Sequence, residues 1–188
     1  MISATAYDEH VDQLFEVLRR VTSALRAAAV EHRVIGELAV FLHVSERDPL
    51  AARLTRDIDL AVARDDLNRI AEAVHSFGFE YRHMAGVDML VDAVKPSAKS
   101  AVHLILVNEK VRPEYLEPVP DFSPAVETRE GILLAPVADL VRMKLVSYRL
   151  KDRVHIQDMD AAGLVTPEIE AALPPELRRR LEEIRATE

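Results

Sequence analysis

The chain has 188 residues, with 32 acidic against 24 basic side chains, and contains no cysteine. This length suits one domain, or one domain with a small helical appendage, and the missing thiols exclude a disulfide framework, a thiolate zinc site, an iron–sulfur cluster and a cysteine nucleophile. The net charge of −8 argues against a surface that follows a nucleic-acid backbone throughout, although it leaves room for a local basic patch.

Hydrophobic periodicity predicts a long helix, then a strand, a tight turn and a second helix. Between residues 7 and 30, apolar side chains recur every three or four positions, which is typical of one face of an amphipathic helix. Residues 33–35 predict a short strand that ends at Gly36, and residues 37–44 have helical composition. A loop is expected over residues 45–53.

The middle of the chain predicts a mixed sheet. Residues 57–62 alternate in polarity as a strand does, and Asp65 is expected to cap the following helix, which ends at Gly78. Further strands are predicted over residues 79–83, 87–93 and 101–107.

The last part of the chain predicts an irregular connection and then helices only. Residues 112–136 hold five prolines and are expected to wrap the body, with a short strand at 131–135. Helices are predicted over residues 137–150, 153–162, 167–173 and 175–186. We therefore expect an α+β (α/β-like) fold, with a mixed sheet and N-terminal helix in residues 1–136 and a C-terminal helical subdomain in residues 137–188.

The sequence predicts neither a membrane protein nor a protein with a dinucleotide-binding fingerprint or a P-loop. No apolar run approaches the roughly 18 to 20 residues needed to cross a bilayer, and the first ten residues lack the features of a signal peptide, so we expect a cytoplasmic protein without a membrane partner. The five glycines are too dispersed for a dinucleotide-binding fingerprint or a P-loop.

Two acids on a predicted strand are the strongest chemical signal. Asp57 and Asp59 leave the same face of the strand, with alpha carbons about 6.6 Å apart. That spacing lets both carboxylates bind one Mg²⁺ that also holds substrate phosphates. Upstream, the turn at Gly36 offers backbone N–H groups and a helix N-terminus to an anion. The alternative is a strand end with two solvated acids.

The residues around these acids resemble a known superfamily. Residues 34–39 (VIGELA) and 53–60 (RLTRDIDL) resemble the glycine turn and Asp-x-Asp signature of nucleotidyltransferases, in particular the minimal, AbiEii-type toxin branch. Residues 139–145 and 149–158 are similar to the lysine helix and Lys-Asp segment that close the nucleotide site in that branch.

This resemblance implies a nucleotidyltransferase fold and a set of site residues. Asp57 and Asp59 would bind Mg²⁺ on a nucleoside triphosphate. The expected nucleotide-binding residues are Gly36, Glu37, Arg53, Thr55, Arg56 and Lys144.

A second group, Asp152, His155 and Asp158, lies near one helical face; a hydrogen-bond network is the favoured interpretation there, with a metal site as the alternative.

The sequence departs from the superfamily at two positions. The turn usually carries Gly-Gly or Gly-Ser, whereas here Glu37 adds a bulky negative charge beside the expected phosphates. On the strand that should supply a third carboxylate, His103 takes the expected position, and a neutral imidazole can accept a proton near pH 7. Asp88 or Asp92 would replace the acid if the sheet register brought one beside Asp59.

Three functions remain open at this point. The first is Mg²⁺-dependent transfer of a nucleoside monophosphate to a hydroxyl of a tRNA end or a protein, as in a toxin with a separate antitoxin protein. The second, suggested by Glu37 and His103, is a weakened relative that binds a nucleotide or a protein partner without transfer. The third is a purely structural partner protein, which would bind no nucleotide with Mg²⁺.

Overall fold

The structure, a computed structural model, describes residues 4–50, 55, 57–96 and 101–187. The helices are α1 (Ala4–Ala27), α2 (Gly36–Arg47), α3 (Leu67–His75), α4 (Val137–Ser147), α5 (Leu150–Ala161), α6 (Pro167–Ala172) and α7 (Pro175–Arg185). The strands are β1 (His32–Ile35), β2 (Ile58–Val62), β3 (Phe79–Met84), β4 (Val87–Asp92), β5 (Val102–Leu106), β6 (Val126–Glu127) and β7 (Leu133–Leu134). The expected α+β fold is confirmed.

The strands form one mixed sheet in the order β3-β4-β5-β2-β1-β7-β6. β2 pairs in parallel with β5 and β1 pairs in parallel with β7, while the other neighbours are antiparallel. β2 therefore lies in the middle of the sheet, and its register is fixed by a strand on each side. Since Ile58, Leu60 and Val62 are buried, the alternation of the strand leaves Asp59 on the opposite face from this apolar set.

The helices divide into two packed groups. Helices α1 and α3 pack on each other, and α3 also packs on β3. Helix α2 packs on β1, β2, α4 and α5, and α7 packs on α4 and α5. One apolar core joins these groups: Leu18, Leu60, Leu145 and Leu181 all belong to it. The division of the chain into a core (residues 1–136) and a C-terminal helical subdomain (residues 137–188) stays a prediction. None of the helices in the described ranges is long and apolar enough to cross a membrane.

Asp65 does not cap α3, contrary to expectation. A 3-10 turn over Arg64–Asp66 precedes the helix, so that Asp66 occupies the cap position. Asp66 has helical backbone angles of −88° and −9° and makes no side-chain cap, because a capping side chain needs an extended backbone at that residue.

The corner between α4 and α5 lies three residues earlier than predicted. Helix α4 ends at Ser147 because Tyr148 adopts a left-handed backbone with φ of 50°. The Tyr148 ring lies between the guanidinium groups of Arg153 and Arg180, at 4.2 Å and 4.7 Å from the ring centroid. Its hydroxyl donates a hydrogen bond of 2.8 Å to Glu183. Side chains of α7 therefore hold this corner.

Asp152 holds the same corner from inside. Its fully buried carboxylate receives hydrogen bonds from Lys144 Nζ (3.2 Å), Ser147 Oγ (2.8 Å), and both Arg149 Nε (2.7 Å) and the Arg149 backbone N–H (3.2 Å). Burial alone would raise the pKa of Asp152, but Arg149, Lys144 and Ser147 together lower it to about 2. The corner is therefore built on a charged aspartate and a charged lysine in the interior.

We predict that Asp152→Ala destabilises the protein by about 3–5 kcal/mol, since it leaves the buried Lys144 ammonium without its counter-charge. Urea unfolding followed by circular dichroism measures the difference. Glu176→Ala, which removes an exposed carboxylate paired with Arg179, is the control and should cost no more than about 1 kcal/mol. Equal losses in the two variants would contradict the role assigned to Asp152.

The pH dependence supplies a further check on that role. Because the pKa of folded Asp152 is about 2, below the ordinary 3.8, its stabilising contribution is complete above the ordinary value and is lost as the pH falls from about 4 towards 2. The stability difference between wild type and Asp152→Ala should therefore shrink over that interval. A difference that stays constant down to pH 2 would contradict this assignment.

Candidate functional site

The two acids of the Asp-x-Asp motif lie at the start of the middle strand. Asp57 comes directly before β2 and Asp59 is its second residue. Both side chains are partly exposed and line a cleft of about 290 Å³. The apolar residues that alternate with them anchor the strand in the core, which leaves the carboxylates at the cleft surface.

Gly36 packs directly against one of these carboxylates. β1 runs antiparallel to β2 with Ile35 opposite Asp59, so the turn after β1 reaches the same point of the sheet. Gly36 has φ of +73°, and a Cβ atom added to it would lie 2.1 Å from Asp59 Oδ2. Only glycine fits this position, both for its backbone angle and for the space.

His103 lies beside the same acid. β5 runs parallel to β2 with His103 opposite Asp59, and His103 Nδ1 is 3.1 Å from Asp59 Oδ1. The hydrogen bond that His103 donates to Asp59 raises the pKa of His103, with burial opposing it. The structure thus brings His103, Asp57 and Asp59 together in one cleft.

Neither Asp88 nor Asp92 replaces the missing third acid. Met89 pairs with His103 and Asp88 pairs with Leu104, so the side chains of Asp88 and Asp92 leave the opposite face of the sheet. Asp88 instead accepts hydrogen bonds from Tyr81 and His83 on that face, and Asp92 pairs with Arg20. The register excludes this substitution.

Glu37 turns toward Lys151, which belongs to the Lys-Asp segment but was not among the expected nucleotide-binding residues. Glu37 Oε1 forms an ion pair with Lys151 Nζ, and Glu37 Oε2 accepts a hydrogen bond of 3.2 Å from Thr55 Oγ1. Burial alone would raise the pKa of Glu37, but Lys151, with His155 and Lys144 nearby, lowers it. Glu37 is therefore ionised and already neutralised at the edge of the cleft.

The other expected nucleotide-binding residues differ in their placement. Thr55 is buried and does not line the cleft; its hydroxyl accepts from the Asp57 backbone N–H at 3.1 Å and so shapes the approach to the two acids. Arg53 and Arg56 lie outside the described residues. The structure thus gives Thr55 a supporting position beneath Asp57 and Glu37.

Lys144 lines the cleft but does not extend into it. Its side chain is buried, and its ammonium is bonded to Asp152 instead of standing free for a phosphate as expected. Burial lowers the pKa of Lys144, while Asp152 opposes that shift. The same pairing closes the alternative metal site at Asp152, His155 and Asp158, because Asp152 is fully buried against Lys144 and Arg149.

The remaining wall of the cleft is both cationic and apolar. Arg112, Arg142, Arg149 and Lys151 line it together with apolar side chains. The apolar set is Ile35, Ile105, Val111, Pro118, Val119, Leu140, Met143 and Val146. Lys151 was not named as a site residue from the sequence. The signal that could have identified it is its place in the Lys-Asp segment at the start of α5. Within the described ranges, no three His, Asp or Glu side chains form a complete metal site.

Comparison with known proteins identifies the fold. The structure is similar to an antigenic nucleotidyltransferase-like protein from Paracoccidioides brasiliensis, with a TM-score of 0.64 and 20% identity over 94% of this chain and 88% of that one. It is also similar to the Megavirus polyadenylate synthase, with a TM-score of 0.55 and 12% identity over 83% of this chain. The match spans only 32% of the viral enzyme.

Sequence comparison alone finds no counterpart: no family model and no curated protein matches the chain. The similarity therefore rests on the arrangement of the strands and helices. The chain has the fold of nucleotidyltransferase-like proteins, as its motifs predicted.

Proposed function

We propose that this protein transfers a nucleoside monophosphate from a nucleoside triphosphate to a hydroxyl group of an acceptor. One observation carries the proposal: Asp57, Asp59, the Gly36 turn and the cations of the α4–α5 corner meet in a single cleft. In the transfer, the acceptor oxygen forms a bond to the α phosphorus, the bond between the α phosphorus and the bridging oxygen breaks, and pyrophosphate leaves.

The donor atoms of the cleft fit Mg²⁺. Asp57 and Asp59 supply carboxylate oxygens, which this ion prefers, and phosphate oxygens of the substrate would complete its ligand set. Bound there, Mg²⁺ would neutralise charge on the phosphates and orient them. Asp59 is hydrogen-bonded to His103 through Oδ1 and lies close to the Gly36 turn on its Oδ2 side, which favours a preformed binding site.

The rest of the cleft suits the other parts of the substrate. The N-terminus of α2 and the Lys151 ammonium both line the cleft. Both attract anions, so this part of the cleft suits the phosphates. The apolar wall around Leu140 and Met143 offers a surface for the nucleoside. His103 donates through Nδ1–H to Asp59, so its Nε2 is the atom that accepts the proton from the acceptor hydroxyl.

The acceptor and the biological setting belong to the same proposal. The sequence resemblance to the AbiEii-type branch supports a tRNA end or a protein hydroxyl as acceptor and a toxin role with a separate antitoxin. The proposal includes a cytoplasmic location, as expected from the sequence. A nucleotide labelled at its α phosphate, incubated with Mg²⁺ and either total tRNA or a protein lysate, identifies the acceptor class by where the label goes.

A second candidate function is binding of a nucleotide without transfer. His103 favours it, because an imidazole takes the position beside Asp59 where the superfamily places a third carboxylate, and Mg²⁺ prefers oxygen ligands. This candidate predicts thermal stabilisation by Mg²⁺ and a triphosphate without pyrophosphate release. A purely structural role predicts neither effect.

We predict that Asp57→Asn and Asp59→Asn each reduce pyrophosphate release by about 10²–10³-fold, because both remove a negative charge from the site expected to hold the cation. The assay uses each of the four nucleoside triphosphates with Mg²⁺ and with the acceptor class that the labelling experiment identifies. Asp88→Asn, which changes an acid on the other face of the sheet, is the control. Equal activity in all three variants would refute the proposed site.

We predict that His103→Gln lowers turnover by about 10²–10⁴-fold while nucleotide affinity stays within a small factor, since the imidazole acts on the acceptor hydroxyl. Single-turnover transfer and calorimetric titration measure the two quantities separately. His83→Gln removes an imidazole outside the cleft and should retain activity. If His103→Gln transfers at the wild-type rate, another group accepts the proton.

We predict that Gly36→Ala abolishes Mg²⁺-dependent nucleotide binding, because the new methyl group displaces the Asp59 carboxylate. Gly86→Ala is a matched control: Gly86 has φ of +78° but no atom within 4 Å of an added Cβ. Both variants should lose about 1–2 kcal/mol of stability from the left-handed backbone, and only Gly36→Ala should lose binding. Retained binding would show that the close contact is not required.

A further inference from the structure

The second residue of α2 is a carboxylate at the place where the proposed function requires phosphates. Glu37 lines the cleft next to Gly36, Asp57 and Asp59. Its side chain is fixed on two sides, by the hydrogen bond from Thr55 and by the ion pair with Lys151. A negative group of this chain therefore occupies the phosphate side of the cleft before any ligand arrives.

The other cations along that wall have partners of their own. Lys144 and Arg149 are bonded to Asp152. Arg142 pairs with Glu117. The Lys144 and Asp152 side chains are buried, so moving Lys144 away to bind a phosphate would leave an unpaired charge in the interior. The Lys151 side chain is 49% exposed and its pair with Glu37 lies at the cleft, so this pair opens at a lower cost than the buried one. Arg112 forms a looser, exposed pair with Glu114, but Glu114 does not line the cleft.

We infer that Glu37 limits the affinity for nucleotides by competing with their phosphates for Lys151. On binding, the Lys151 ammonium leaves the Glu37 carboxylate for a phosphate oxygen. The released carboxylate keeps its hydrogen bond from Thr55 and lies in the first turn of α2, where the helix dipole favours negative charge. This inference rests on the proposed function, because it assumes that the ligand is a nucleotide.

The competition has a consequence for affinity. Opening the pair costs the same free energy for every ligand whose phosphate takes Lys151. Glu37 therefore lowers the affinity for the triphosphate and for the monophosphate by the same factor.

The test is a double-mutant cycle on nucleotide affinity. The variants are Glu37→Gln, Lys151→Met and the double variant, with Mg²⁺ and a non-hydrolysable nucleoside triphosphate, and with the corresponding monophosphate as second ligand, measured by calorimetry. Gln can still accept from Thr55, and thermal unfolding confirms that each variant folds. Glu109→Gln removes an equal charge from an ion pair with Arg64 outside the cleft and is the control for net charge.

We expect Glu37→Gln to bind the triphosphate about two- to fivefold more tightly than wild type, the range set by a partly exposed ion pair. The gain should be the same factor for the monophosphate, and it should vanish when Lys151 is also changed. Glu109→Gln should bind as wild type does.

Two outcomes would overturn the inference while the proposed function stands. These are triphosphate binding by wild type with no gain in Glu37→Gln, and a gain that persists without Lys151. A gain of the same size in Glu109→Gln would also overturn it, because the effect would then be one of net charge. If no variant binds a triphosphate with Mg²⁺, the proposed function itself fails and the inference fails with it.

Discussion

The arrangement of the cleft depends on a close contact between a backbone and a carboxylate. The strand-to-helix turn at Gly36 reaches so near to Asp59 that no side chain fits between them. The antiparallel pairing of β1 with β2 brings the turn to this point, and the parallel pairing of β2 with β5 adds His103 from the other side. Three separate stretches of sequence thus meet at one acid because the middle strand is held by both of its neighbours.

The basic side of the cleft is organised by a different principle. At the α4–α5 corner, Asp152 gathers Lys144, Arg149 and Ser147 in the interior. Those contacts fix where α5 begins and therefore where Lys151 is presented to the cleft. The buried lysine supports the corner, and the exposed lysine seven residues later lines the cleft and pairs with Glu37. The sequence identifies the segment that contains both lysines. Which of the two is buried and which is exposed depends on how α4 and α5 pack.

The sequence was sufficient for most of the fold and for placing Asp57, Asp59, Gly36 and His103 in one cleft, and the reasons differ from residue to residue. Strand alternation identified Asp57 and Asp59, and a lone glycine between a strand and a helix identified the turn, because these signals are local. The partner of Glu37 and the burial of Lys144 were not predictable, since both depend on how α2 packs against α4 and α5. The exclusion of Asp88 needed the strand register, which changes the face of every side chain when it shifts by one residue.

The left-handed residue at the end of α4 links the cleft to a part of the chain that does not line it. Tyr148 is clamped between arginines of α5 and α7, and its hydroxyl is tied to Glu183. Helix α7 contributes no side chain to the cleft wall, yet its Arg180 and Glu183 hold the corner at which α4 and α5 meet. Sequence change along that distal helix can therefore tune ligand recognition without altering any residue that a ligand touches.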